Sequence, residues 1–149
     1  MLEKAMISGV TNTVEEGVYR VVGVQPDTLF GALADASVNV DTIIEIGGEI
    51  VFSAPKEDRP DTASVLDRVA SSWSEHTDLG KVSIVGAGMK SHPGVAARTF
   101  ATLAELDVAP QFISTSPIKI AFYVPHGDVE RTVQRLHDVF ELSLPGAQR

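Results

Sequence analysis

Ile50-Val-Phe-Ser-Ala-Pro55 is answered seventy residues later by Ile120-Ala-Phe-Tyr-Val-Pro125, and this echo decides the fold. It does not stand alone. Ala32-Leu-Ala-Asp-Ala-Ser-Val38 returns at the same offset as Thr102-Leu-Ala-Glu-Leu-Asp-Val108. Val18-Tyr-Arg-Val-Val-Gly-Val24 returns as Lys81-Val-Ser-Ile-Val-Gly-Ala87, at an offset of 63. Similarity in constant order over one period marks a duplicated structural unit. The smaller offset places a deletion of about seven residues in one loop of the first copy, between its opening strand and its first helix.

Within each copy the apolar period switches between strand and helix spacing. The first copy reads as a β-branched run at 18–24, a helix at 29–37, runs at 39–46 and 49–54, and a helix at 61–73. The second reads as a run at 81–86, a helix at 94–107, runs at 109–115 and 118–124, and a helix at 128–140. Both spell βαββα. His92-Pro93-Gly94 is suited to opening a helix, since a missing N–H is harmless in the first turn, and Asp128 is suited to capping the last one. A βαββα unit covers one face of an antiparallel sheet with two helices and completes the sheet with a fourth strand. The second copy offers no such strand in 141–149, which holds Pro145-Gly146, whereas Lys4-Ala-Met-Ile-Ser-Gly-Val10 is an apolar run without a partner. That run is expected to fill the gap. Ser74–Gly80 is polar and reads as a connector, poor material for a fourth strand in the first copy. Trp73 is expected to close the core. The fold class is α+β, with 1–13 completing the second unit, 14–79 forming the first, 80–142 the second, and 143–149 a tail.

Composition narrows the function. Twelve Lys and Arg against twenty Asp and Glu give a net charge of −8, so nucleic acid and anionic membrane surfaces are poor partners. The absence of cysteine excludes disulfides and thiolate chemistry. Charges stand by the third residue and no run approaches 18 apolar residues, so a cytoplasmic protein without a membrane span is expected. Four histidines lack metal-ligand spacing. Gly86-Ala-Gly-Met-Lys-Ser91 lacks the GxxxxGK[ST] spacing that cradles phosphates, and no nucleophile elbow occurs. No metal, cofactor or catalytic role is expected of the chain itself.

A free amino acid needs N–H donors for its carboxylate and acceptors for its ammonium, and a strand-to-helix turn beside a neighbouring strand offers both. The first copy has the turn Gln25-Pro-Asp-Thr28 beside a strand carrying Asn39, Val40, Asp41 and Glu45. The second has Met89–Val95 beside Val108–Ser114. Glu45, set among Ile43, Ile44 and Ile46, is an acceptor suited to an ammonium and repels a carboxylate. Pro110 has no N–H, and losing a donor to a charged group costs about 1.5–3 kcal/mol.

The sequence Gly80-Lys-Val-Ser-Ile-Val-Gly-Ala-Gly-Met-Lys-Ser-His-Pro-Gly-Val95, together with Ile113-Ser-Thr-Ser116, Leu136-His137 and Phe140-Glu-Leu142, resembles the paired ACT domains of bacterial aspartokinase. Glu3-Lys-Ala5 and Ser8-Gly-Val10 resemble the start of the regulatory β subunit that some aspartokinases make separately. The resemblance implies two ferredoxin-like ACT units (βαββαβ), the leading strand belonging to the second. It implies a non-catalytic regulatory chain that binds threonine or lysine at ACT-to-ACT interfaces, forms a homodimer and works with an aspartokinase catalytic subunit. The effector-binding positions carried over are Asp27, Thr28, Val40, Asp41, Glu45, Ala109, Pro110 and Gln111. Three departures stand out: the loop cut to Pro26-Asp27-Thr28, Glu45 in place of a family Gln, and Ala109-Pro110 in place of Asn-Ile. The altered turn and Pro110 favour, as an alternative, a stand-alone ACT module for another small molecule; a second alternative is a dimerising scaffold for a partner enzyme with a decayed effector site.

Overall fold

The computed structural model describes residues 7–86 and 94–140. Its elements are β1 (Ile7–Thr13), β2 (Glu16–Val22), α1 (Pro26–Asp35), β3 (Ile43–Ile46), β4 (Glu49–Pro55), α2 (Arg59–Val69), β5 (Ser72–His76), β6 (Leu79–Gly86), α3 (Gly94–Glu105), β7 (Gln111–Ser116), β8 (Lys119–Pro125) and α4 (Val129–Phe140). The chain divides into two units. One is Glu15–Leu79, and the other joins the described residues of Met1–Val14 to those of Gly80–Arg149. Their sheets have the orders β3-β4-β2-β5 and β7-β8-β6-β1, the same arrangement of first, second and third strands in each.

In the first unit β2 lies between β4 and β5, antiparallel to both. Tyr19 opposes Phe52 and Val21 opposes Ile50 across the ladder. All four are buried and form the core with Leu29 and Leu33 of α1 and Val65 and Leu66 of α2. Tyr19 stacks on Phe52 at 5.2 Å, and Phe30 meets Phe52 edge-on at 6.1 Å. Helix α1 ends in a Schellman motif: Ser37 adopts φ 61°, its N–H bonds the Ala34 carbonyl at 2.9 Å, and the Val38 N–H bonds that of Leu33 at 2.9 Å. The duplication repeats this detail. Asp107 has φ 59°, its N–H reaches the Ala104 carbonyl at 3.1 Å, and the Val108 N–H reaches that of Leu103 at 2.9 Å. Pro55 and Pro125 likewise each lead through a 3₁₀ turn into the second helix of their unit.

The leading run completes the second unit. β1 pairs antiparallel with β6, from Ile7 opposite Gly86 to Thr13 opposite Lys81, with an irregularity between Ile7 and Gly9. Ile7 and Val10 are buried in a core with Val82, Ile84, Leu103, Phe122, Leu136 and Phe140. His137 Nε2 of α4 lies 3.4 Å from the Val10 carbonyl. The expected strand Lys4–Val10 is displaced toward Thr13 in the described residues, and its first three positions lie outside them, as does the tail.

Four expectations are corrected. The first unit has its own fourth strand: Ser72–His76 pairs with β2 from Val22 to Val18. Its few apolar residues hid it, because side-chain bonds hold it instead. Trp73 Nε1 donates to Asp67 Oδ1 at 2.9 Å, and Arg59 grips Glu75 with Nε at 2.9–3.0 Å and Nη2 at 2.8 Å. Trp73 packs on the core and lies 6.2 Å from Tyr19, but from this strand and not from the end of a helix. Helix α2 therefore stops at Val69, where Ala70 turns extended. Helix α1 starts at Pro26, since proline suits the first turn, and this puts Asp27 inside that turn. β3 and β7 are shorter than the runs at 39–46 and 109–115, and Phe112 in β7 adopts φ 52°.

Tyr19 is fully buried, and the acceptor its hydroxyl faces, the Glu75 carboxylate, stands outside good hydrogen-bond geometry. Burial foremost, then the nearby Glu75 carboxylate, pushes its pKa from 10.0 up to about 12. A raised folded-state value favours the neutral phenol, so this contribution is intact below pH 10 and is lost as pH climbs toward 12. Tyr19→Phe is expected to raise stability by about 1 kcal/mol by removing the poorly partnered hydroxyl, and to flatten the loss of stability over that range. Urea unfolding at neutral and alkaline pH measures both. An unchanged alkaline slope would contradict the assignment.

Candidate functional site

At the end of β2 the chain passes through Gly23, Val24 and Gln25 into α1. Gly23 has φ 81°. Nearby, β3 and β4 are joined by Gly47-Gly48 at φ 60° and 87°, the type I′ geometry that a two-residue hairpin demands and glycine supplies. These segments enclose a cleft of about 370 Å³. Gly23, Val24, Gln25 and Pro26 line one side, Glu45 and Gly48 another, and Ile50 adds an apolar contact.

Glu45 is the ionisable residue of this lining. Its Oε2 accepts the Gly48 N–H at 3.0 Å, so the hairpin turn pins the carboxylate in place. Arg20 of β2 is engaged with Glu49 through Nε and Nη2, each at 3.0 Å. That bond to the guanidinium holds the Glu49 carboxyl below the usual carboxylate range and raises Arg20. Across the cleft, Gln25 precedes α1 without a side-chain cap, and the first helical bond runs from the Leu29 N–H to the Gln25 carbonyl at 3.0 Å. The amides of Asp27 and Thr28 precede that bond and are unpaired helix-start donors. An anchored carboxylate and open helix-start amides are the two kinds of group that a zwitterion's ends require. The cleft offers no second ionisable group for proton transfer.

The structure thus gathers Glu45 with Gln25 and Pro26, while Asp27 and Thr28 are exposed on the first turn of α1 and are not among the lining residues. Val40 and Asp41 stand apart in the connector to β3. Val40 packs on the core, and the Asp41 N–H donates to the Ser53 carbonyl at 2.9 Å, which extends the ladder to β4. Ala109, Pro110 and Gln111 belong to the other unit: Ala109 is exposed, Pro110 half-buried, and Gln111 opposes Tyr123 at the start of β7. The corresponding turn of that unit, Met89–Val95, lies mostly outside the described residues. Gly23, Val24, Gly48 and Ile50 escaped the sequence reading, although Gly47-Gly48 between two apolar runs is a hairpin signal. Among the described residues no cluster of His, Asp or Glu could hold a metal ion, and no helix is long and apolar enough to cross a membrane.

The ACT domain family matches residues 82–140. Aspartokinase from Corynebacterium efficiens is 35% identical over 159 residues, covering 95% of this chain and 38% of that protein. Aspartokinase 2 from Bacillus subtilis is 42% identical over 125 residues, covering 78% and 31%. A crystal structure of aspartokinase alpha and beta subunits contains a chain that is 35% identical, superposes with a TM-score of 0.81 and is covered to 99%, against 91% of this chain. This chain belongs to the aspartokinase regulatory ACT family. The ligand-free regulatory subunit of aspartate kinase from Thermus thermophilus superposes with a TM-score of 0.82 at 27% identity, covering 92% of this chain and 99% of that one. The chain spans less than two fifths of the curated aspartokinases it matches, and its two units are ACT units with no kinase domain among them.

Proposed function

We propose that this aspartokinase-type ACT chain senses a free amino acid in the cleft of its first unit and regulates an aspartate kinase. The observation that carries this reading is Glu45, a carboxylate held at the cleft wall by the Gly48 N–H. It takes the ligand's ammonium, while the amides of Asp27 and Thr28 take its carboxylate. Threonine or lysine is the effector class. The partners are a second copy of the chain and an aspartokinase catalytic subunit, and the setting is the cytoplasm. Ala109, Pro110 and Gln111 form the weaker counterpart in the second unit, since Pro110 lacks the N–H that a carboxylate would use. Val40 and Asp41 support β3 from its connector.

A thermal-shift screen of the twenty amino acids tests this. A ligand at 100 times its dissociation constant stabilises by about 2.7 kcal/mol, a rise of several degrees in a chain of this size. Glu45→Gln is expected to weaken the responding ligand roughly ten- to hundredfold while leaving the unliganded midpoint nearly unchanged. No shift with any amino acid would overturn sensing, and unaltered affinity in Glu45→Gln would remove that residue from the site.

A further inference from the structure

The cleft and strand β5 share one tight contact. Gly23, in the cleft wall, abuts Ser71, the residue immediately before β5. A Cβ on Gly23 would stand 2.1 Å from Ser71 Oγ and 2.4 Å from its Cβ, so there is no slack between them. The Ser71 N–H donates to the Val22 carbonyl at 3.0 Å, and its hydroxyl donates to the Gly23 carbonyl at 3.4 Å. The ladder then continues with Ser72 opposite Val22 and Trp73 opposite Val21.

Beyond that seat β5 is an edge strand with one large apolar side chain, tied to α2 through Trp73–Asp67 and Glu75–Arg59. Such a strand sits at the low end of local stability, where a small displacement at one end changes how often it opens. Two residues, Thr77 and Asp78, separate it from β6.

We propose that the Gly23–Ser71 contact is the read-out of the cleft: an occupant that displaces Gly23 drives Ser71 off its seat and loosens β5, the strand leading directly into the second unit. Without a side chain at 23 to rearrange, a movement of the Gly23 backbone passes directly to the Ser71 side chain. This coupling deepens the amino-acid reading of the same cleft, and a covalent occupant tests it whether or not an amino acid binds.

The chain has no cysteine and one tryptophan, which lies on β5. Glu45→Cys, modified with benzyl methanethiosulfonate, fills the cleft at a single position, and Trp73 reports without a label. Compared with the same variant before modification, the filled protein is expected to show a shifted Trp73 emission and amide exchange in 72–76 faster by about tenfold or more. Adding Ser71→Gly, which removes the abutting side chain, is expected to cut the change to less than twofold. Gln25→Cys provides a second attachment point in the cleft lining should the first variant fold poorly. Complete modification with unchanged emission and exchange would overturn the proposal, as would a full response that persists with Ser71→Gly.

Discussion

Removing residues 1–13 is expected to unfold the unit built on β6, β7 and β8 while the β2–β4 ladder keeps its protection. The truncation takes Ile7 and Val10 out of the core, and burying one such side chain is worth about 1.5–3 kcal/mol, so roughly 3–6 kcal/mol goes with the pair. It also strips β6 of one of its two neighbouring strands, along six residue pairs, and removes the carbonyl facing His137. Small domains are stable by only about 5–15 kcal/mol in total, so little or nothing remains. Amide exchange followed by mass spectrometry separates the two units: peptides within 80–140 should exchange as unfolded, and a peptide of residues 1–13 added in trans should restore part of their protection. Val10→Asp buries an unpaired charge at the same place and should act in the same direction. Wild-type protection in the truncated chain would show that β1 does not complete the sheet.

The second large effect lies in the unit that carries the cleft. Phe52 is fully buried, stacks on Tyr19 from β2 and meets Phe30 from α1. Phe52→Ala should cost about 3–5 kcal/mol through lost transfer energy and the cavity left behind. Because α1 rests on this ring, its start loses its fixed position relative to Glu45, and whatever amino acid stabilises the parent chain should stabilise the variant less. Denaturant unfolding gives the stability loss and the same ligand titration gives the second effect. A loss below 1 kcal/mol would mean that the aromatic cluster does not organise this core.

Much of this architecture was legible because it was written twice. The seventy-residue echo reached into details that local propensity does not reveal, such as the left-handed Ser37 and Asp107 and the proline-led turns after β4 and β8. β5 was missed for a physical reason. Ser-Trp-Ser-Glu-His lacks strand-like alternation of apolar residues, and what holds it is an indole N–H, a guanidinium and the ladder to β2, none of which has a signature in spacing. The end of α2 was misplaced because Ala70-Ser71-Ser72 contains no helix-stopping glycine or proline. In the site, Glu45 was visible as a charge within an isoleucine run. Gly23, Gly48 and Ile50 were not, since their part depends on which segments the fold places side by side. Val40 and Asp41, read as part of a strand at 39–46, lie in the connector ahead of a strand that begins only at Ile43.

The central claim is that the strand-to-helix turn after β2 and the β3–β4 hairpin form one amino-acid site. Titrating the ¹⁵N-labelled chain with L-threonine and with L-lysine tests it most directly. Saturable amide shifts at Gly23, Gln25, Asp27, Thr28 and Gly48, lost in Glu45→Gln, are the expected result. Saturable shifts centred elsewhere, or none with either amino acid, would contradict it.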